Sequence, residues 1–195
     1  MIFLKSLYLI FLSLGLMACS TLPNAEKLPV FPLFDPADLG QNINITQVVA
    51  NKADNKSQVM LIAWSVNNGI MDLIGLTITG QKILHLNYDG KNLVEEYSQF
   101  LKAPINGRTV VSQIQFSYWP LDKIQQQLTG SPWMLVQNQQ QREITFKGNT
   151  VTTIQSKVGE VAPEQFNQIW PELVLESPVL QQNLAIKTIS LEKIK

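Results

Sequence analysis

Residues 57–79 constrain the fold more than any other stretch. SQVMLIAWSV is a nearly unbroken β-forming run, Asn67-Asn68-Gly69 is a tight-turn signal, and IMDLIGLTIT is a second β-forming run. Two such runs joined by residues that tolerate positive φ make an antiparallel hairpin. Val59, Leu61 and Ala63 alternate with Met60, Ile62, Trp64 and Val66, so both faces of the first strand are largely apolar. In the second strand Asp72, Ile74, Leu76 and Ile78 lie opposite Met71, Leu73 and Gly75. A sheet with one wet face shows a cleaner period of two. The hairpin therefore predicts a sheet whose second face is covered by helices, by another sheet or by a ligand.

The same reading extends in both directions. INITQVVA (43–50) makes a strand before the hairpin, and KILHLNY (82–88) and 91–97 make two after it, turned at Gly80-Gln81 and Asp89-Gly90. Gly75 marks a bend or a close backbone approach. Over 109–129 the period changes. Val110, Val111, Ile114 and Tyr118 recur every three to four residues, and Leu121, Ile124 and Leu128 do so again after Pro120, until Gly130. This predicts two short helices broken at Trp119-Pro120, each with one apolar stripe suited to lie across a sheet. Strands follow at 133–138, 141–147 and 150–156, the last two turned at Gly148-Asn149. Residues 162–180 hold Pro163, Pro171 and Pro178 and read as an irregular crossing, with Phe166, Ile169 and Trp170 sharing at most one helical turn. In the final strand, 183–193, Leu184 and Ile186 are one residue out of phase with Ile189 and Leu191, which predicts a bulge near Lys187-Thr188.

The chain begins MIFLKSLYLIFLSLGLMACS: one Lys, an apolar run from Leu7 to Ala18, and the only cysteine at Cys19. This is the pattern of a secretory leader, and its apolar part is shorter than the roughly 20 residues a spanning helix needs. Leu16-Met17-Ala18-Cys19 resembles the bacterial lipoprotein processing box. That resemblance implies cleavage before Cys19, a diacylglyceryl group on its sulfur and acylation of the new amine. Ser20 resembles the sorting default for the outer membrane. A plain leader cut near Ala18, leaving a free thiol, and a retained transmembrane anchor are the alternatives. The expected organisation is a signal peptide over 1–18, a lipid-anchored Pro-rich tether and lead-in over 19–42, and one β domain over 43–195. Within the lead-in, Val30, Phe31, Leu33 and Phe34 are too apolar for a spacer. They are expected to dock on the domain edge, or to form a turn near Pro36-Ala37-Asp38-Leu39.

Composition narrows the chemistry. Charged residues make up 15% of the chain, against about 25% in ordinary domains, and Asn and Gln take their place. Without Lys5 the balance is 14 basic to 15 acidic side chains, so no strong field draws nucleic acid. One cysteine forms no internal disulfide, and one histidine with one cysteine leaves little for a zinc site. The sequence carries no P-loop, dinucleotide fingerprint, HExxH or nucleophile elbow. His85 reads as a structural or surface residue. Simple core packing is the plainer reading of the aromatics and methionines; the functional reading makes Met60, Trp64, Met71, Phe116, Trp119, Trp133 and Phe146 candidates to line a cavity between sheet and helices. Asn68, Gly69 and Ile70 form a candidate exposed loop tip.

Taken in order, the lipidated cysteine, Pro-rich lead-in, strands, broken helix pair, three strands, crossing and last strand resemble a family of small bacterial outer-membrane lipoproteins of unknown function. FSYWPLDKIQQQLTG, SPWMLV and NLAIKTISLEK carry the resemblance. The family is similar in fold to the lipoprotein-localisation proteins LolA and LolB. It implies a mainly β fold with α: an incomplete, strongly curved antiparallel β-barrel covered by short helices around a hydrophobic cavity for acyl chains. Asn68-Gly69-Ile70 corresponds in order to the LolB loop that presents a protruding leucine, but has none at its tip. The arginine that holds the LolA lid closed has no secure counterpart in Arg108 or Arg142. The family is also similar to proteins encoded near fatty-acid-like and aryl-polyene synthesis genes, which implies acyl or polyene lipids. The function expected is a non-enzymatic, periplasm-facing outer-membrane lipoprotein that binds or transfers an acyl chain or lipidated substrate, with no cofactor, metal or nucleic acid. Another envelope protein or lipoprotein is a further candidate partner. The alternative is a structural or assembly lipoprotein with a filled core.

Overall fold

The computed structural model describes residues 28–52, 58–101, 105–138, 140–157 and 171–194. Cys19, the leader, the first part of the tether, Phe166, Ile169 and Trp170 lie outside them. The first five strands are β1 (Asn42–Asn51), β2 (Gln58–Asn67), β3 (Ile70–Thr77), β4 (Lys82–Tyr88) and β5 (Leu93–Tyr97). Two helices follow, α1 (Gly107–Tyr118) and α2 (Leu121–Leu128). The chain then forms β6 (Trp133–Gln137), β7 (Gln141–Phe146), β8 (Asn149–Ser156), β9 (Glu172–Ser177) and β10 (Gln182–Ile194). The described strands make one antiparallel sheet in the order β5-β4-β3-β2-β1-β10-β9-β8-β7-β6.

The expected incomplete, strongly curved barrel is overturned. The sheet is open, not curled on itself, and β5 and β6 are its two separate edges. Apolar patterning on both faces asked for cover, and closure is one way to supply it. Here the helices and the lead-in segment cover one face instead. On the other face Val48, Leu61, Ala63, Ile74 and Leu76 stay partly exposed, side by side across β1, β2 and β3. Open edges invite pairing with other chains, and each is protected differently. β5 carries two exposed carboxylates, Glu95 and Glu96, one on each face. On β6, α2 packs along the strand and Gln125 Nε2 donates to the Leu135 carbonyl at 3.2 Å.

Local chemistry sets the register. Asn68 and Gly69 both take positive φ, 50° and 76°, so Asn67 pairs with Ile70 across a two-residue turn. Gly75 sits where β3 shifts register against β4, and a Cβ there would meet Leu84 Cδ2 at 2.9 Å. The bulge expected in the last strand is present: between Thr46 and Gln47 the partner jumps from Ser190 to Thr188, leaving Ile189 unpaired. The extra residue returns Leu191 to the face of Leu184 and Ile186. β9 is the strand that sequence reading missed. Pro171 precedes it and Pro178 opens the 3-10 turn Pro178–Leu180 after it, so a six-residue strand is hidden between two helix- and strand-breaking signals.

Helix α1 is the centre of the fold. Asn106 caps it, its Oδ1 accepting from Thr109 N at 3.0 Å. Every residue from Val111 to Trp119 is buried or nearly so. One flank faces the sheet. Along another runs the lead-in segment, docked like a strap. Arg108 Nε donates to Phe31 O at 2.6 Å, Gln115 Oε1 accepts from Phe34 N at 2.8 Å while its Nε2 donates to Phe34 O at 2.6 Å, and Trp119 Nε1 donates to Asp35 O at 2.9 Å. The strap therefore travels in the same direction as α1, with its start beside the first turn of the helix. It ends in a 3-10 turn, Pro36–Leu39, capped by Asp35.

Candidate functional site

The interior has two ends with different contents. At one of them aromatic rings pack together around α1. Phe31 lies 5.2 Å from Trp133, Phe34 meets Phe116 edge-on at 5.1 Å, and Trp133 lies 5.0 Å from Phe146. Trp64 stacks against Tyr118 at 5.4 Å. Arg142, fully buried on β7, fixes the helix here. Its Nη1 donates to the carbonyls of Phe116 at 2.7 Å and Trp119 at 2.9 Å, and its Nε donates to Gln137 Oε1 at 2.8 Å. A cation suits the negative end of a helix. Burial lowers the Arg142 pKa to about 9, so the guanidinium is still charged at neutral pH.

At the other end the sheet and α1 separate around a partly open cavity of about 470 Å³. Val49 of β1, Met60 and Ile62 of β2 and Ile186 of β10 face Val110 and Ile114 of α1 across it, and Phe100, Leu101 and Ile105 stand beside them. The wall is mostly aliphatic, with amides and hydroxyls between. Gln47, Gln113 and Tyr118 mark the inner limit. Gln47 Nε2 donates to Tyr118 Oη at 2.6 Å and to Thr188 Oγ1 at 3.2 Å, and its Oε1 accepts from Trp64 Nε1 at 3.0 Å. Gln113 Nε2 donates to Gln182 Oε1 at 3.0 Å, and Ser117 Oγ donates to Gln113 O at 2.7 Å. Burial pushes the Tyr118 phenol well above its ordinary value, so it stays neutral.

Of the seven residues expected on a cavity wall, Met60 is on this one. Trp64 lies one layer back, behind Tyr118 and Gln47. Met71, Phe116, Trp119 and Trp133 are buried in the core away from it, and Phe146 packs on Trp133. The loop Asn68-Gly69-Ile70 sits against the 3-10 turn, with Gly69 beside Ala37, at the strap's far end. Ile70 is exposed there. The cavity and this loop are at opposite ends of β2. Sequence reading missed Ile114, Ile62, Leu184 and Ile186 as wall residues, because aliphatics on a buried stripe look alike whether they meet a neighbour or a gap. The fixed spacing of Gln113 and Ser117, polar residues on a helix face that also holds Ile114, was the available signal.

His85 is on the outer face of the sheet. Its Nε2 lies 2.8 Å from Asp72 Oδ1 and its Nδ1 3.4 Å from Glu96 Oε2. The hydrogen bond to Asp72 raises its pKa above the usual 6.5. No group of three or more His, Cys, Asp or Glu side chains suited to a metal ion occurs among the described residues. No helix among the described residues is long and apolar enough to cross a membrane.

Residues 44–190 match the family described as "Protein of unknown function (DUF3261)", and the chain belongs to that family. No curated protein matches it. Among solved structures it is similar to a LolA superfamily protein from Nitrosomonas europaea, at 9% identity and a TM-score of 0.49, with 82% of this chain and 91% of that one covered.

Proposed function

We propose that this protein is a non-enzymatic lipid-binding lipoprotein: an acyl chain occupies the cavity, and an acylated Cys19 holds the domain on the periplasmic side of the outer membrane. The observation that carries the reading is the aliphatic wall, supplied by α1 on one side and by β1, β2 and β10 on the other. Ligand sites of this kind run from about 300 to 1,000 Å³, and the cavity falls inside that range. Each CH₂ transferred from water is worth about 0.8 kcal/mol, so a chain binds by desolvation without charged contacts.

The test is mass spectrometry of lipid extracted from protein purified out of its own envelope, for the wild type and for Ile114→Trp, which fills the cavity. An acyl species held by the wild type and lost in the variant is the expected result. Repeated preparations of wild type with no more lipid than the variant would remove the carrier function.

A further inference from the structure

The wall also specifies what the leading end of a ligand can be. Among the described residues, no Lys, Arg, His, Asp or Glu lines the cavity. The polar side chains that do line it are neutral, and several are engaged: Gln113 with Gln182, Ser117 with the Gln113 carbonyl, Gln47 with Tyr118. A carboxylate carried inward would leave water and meet no cation. It would meet only neutral amides and hydroxyls, and a buried charge without a counter-charge is among the most costly groups a protein can hold. A methyl terminus meets no such penalty.

We propose that the cavity selects chains by the charge of their buried end: a hydrocarbon tail enters with its uncharged end first, a charged head stays at the opening, and a chain charged at both ends is refused. This rests on the acyl-binding reading above and adds a ligand class to it, lipids and lipidated molecules with a plain tail, as against long-chain dicarboxylates. The opening is compatible with a head left outside. Asn51, Gln58 and the exposed Phe100 stand there, while the buried amides are at the inner limit.

The experiment is a displacement titration on the full chain carrying Cys19→Ser, which removes the acylation site and alters no described residue. Diphenylhexatriene, a neutral fluorescent hydrocarbon, is the probe. Dodecanol, dodecanoate, dodecanedioate and dimethyl dodecanedioate are the competitors at neutral pH. The first two and the diester are expected to displace the probe, with dodecanedioate at least about tenfold weaker than its diester. The diester has the same chain between its ends without the charge, so the comparison isolates charge. If dodecanedioate displaces within about threefold of the diester, charge selection is wrong and acyl binding stands. If no competitor displaces a bound probe, or the probe itself does not bind, the acyl-binding reading falls and the selection with it.

Discussion

One helix serves two unlike ends of the same interior. One is locked against α1: Phe34, Phe116 and Trp133 interdigitate, Trp119 and Gln115 hold the strap, and Arg142 ties the last carbonyls to β7. At the other, a different stripe of the same helix borders a gap, with Val110, Gln113, Ile114 and Ser117 along its wall. Protein interiors are ordinarily close-packed, so an unfilled aliphatic end beside a tightly filled aromatic end is a division of labour. The locked end holds α1 at a fixed separation from the sheet, and the open end has space because that separation is held.

Substitutions that sharpen the contrast begin at the locked end. Arg142→Ala leaves two buried carbonyls and the Gln137 side chain without their donor, and should cost about 3–5 kcal/mol in urea unfolding. Phe34→Ala removes a fully buried ring and its edge-on contact with Phe116, with a loss of about 3–4 kcal/mol expected by the same measurement. At the open end Ile186→Ala should cost only about 1 kcal/mol, since that side chain is partly exposed and borders space already. Equal losses at Phe34 and Ile186 would mean the two ends are packed alike. Ile114→Trp should change stability by less than about 1 kcal/mol, where a ring forced into a filled core costs about 1–3 kcal/mol, and it should abolish binding of a hydrocarbon probe.

The smallest effect lies outside both ends. The folded state raises the His85 pKa through Asp72 first and Glu96 next. The stabilisation is therefore complete below the unfolded value of 6.5 and is lost as pH rises through the raised value. Being near the surface, it should amount to less than about 1 kcal/mol. Urea midpoints on either side of that window should fall with rising pH in the wild type, and the fall should be smaller in His85→Asn.

The sequence made some of this architecture readable and concealed the rest for physical reasons. Turn chemistry at Asn68-Gly69 and the phase slip between Ile186 and Ile189 give away the hairpin and the bulge, because each is written in adjacent residues. The break at Trp119-Pro120 likewise gives two helices. Closure was not readable: alternation records which face of a strand is covered, and both a barrel and a helix-covered open sheet cover one. Gln113 and Gln115 look like the wet side of α1, yet both are buried, one against Gln182 and one against the backbone of the strap. Their partners are 69 and 81 residues away. The large rings drew attention as a lining, but rings of that size pack on each other, and the smaller aliphatics were left at the gap.

The most direct measurement follows where a hydrocarbon goes. In methyl- and indole-labelled protein titrated with dodecanol, chemical-shift changes are expected at the methyls of Met60, Ile62 and Ile114, with the indole signals of Trp119 and Trp133 unmoved. Changes confined to the indoles or to outer-face residues such as Leu61 and Ile74, or no change at saturating dodecanol, would contradict the claim that the open end of this interior is a hydrocarbon site.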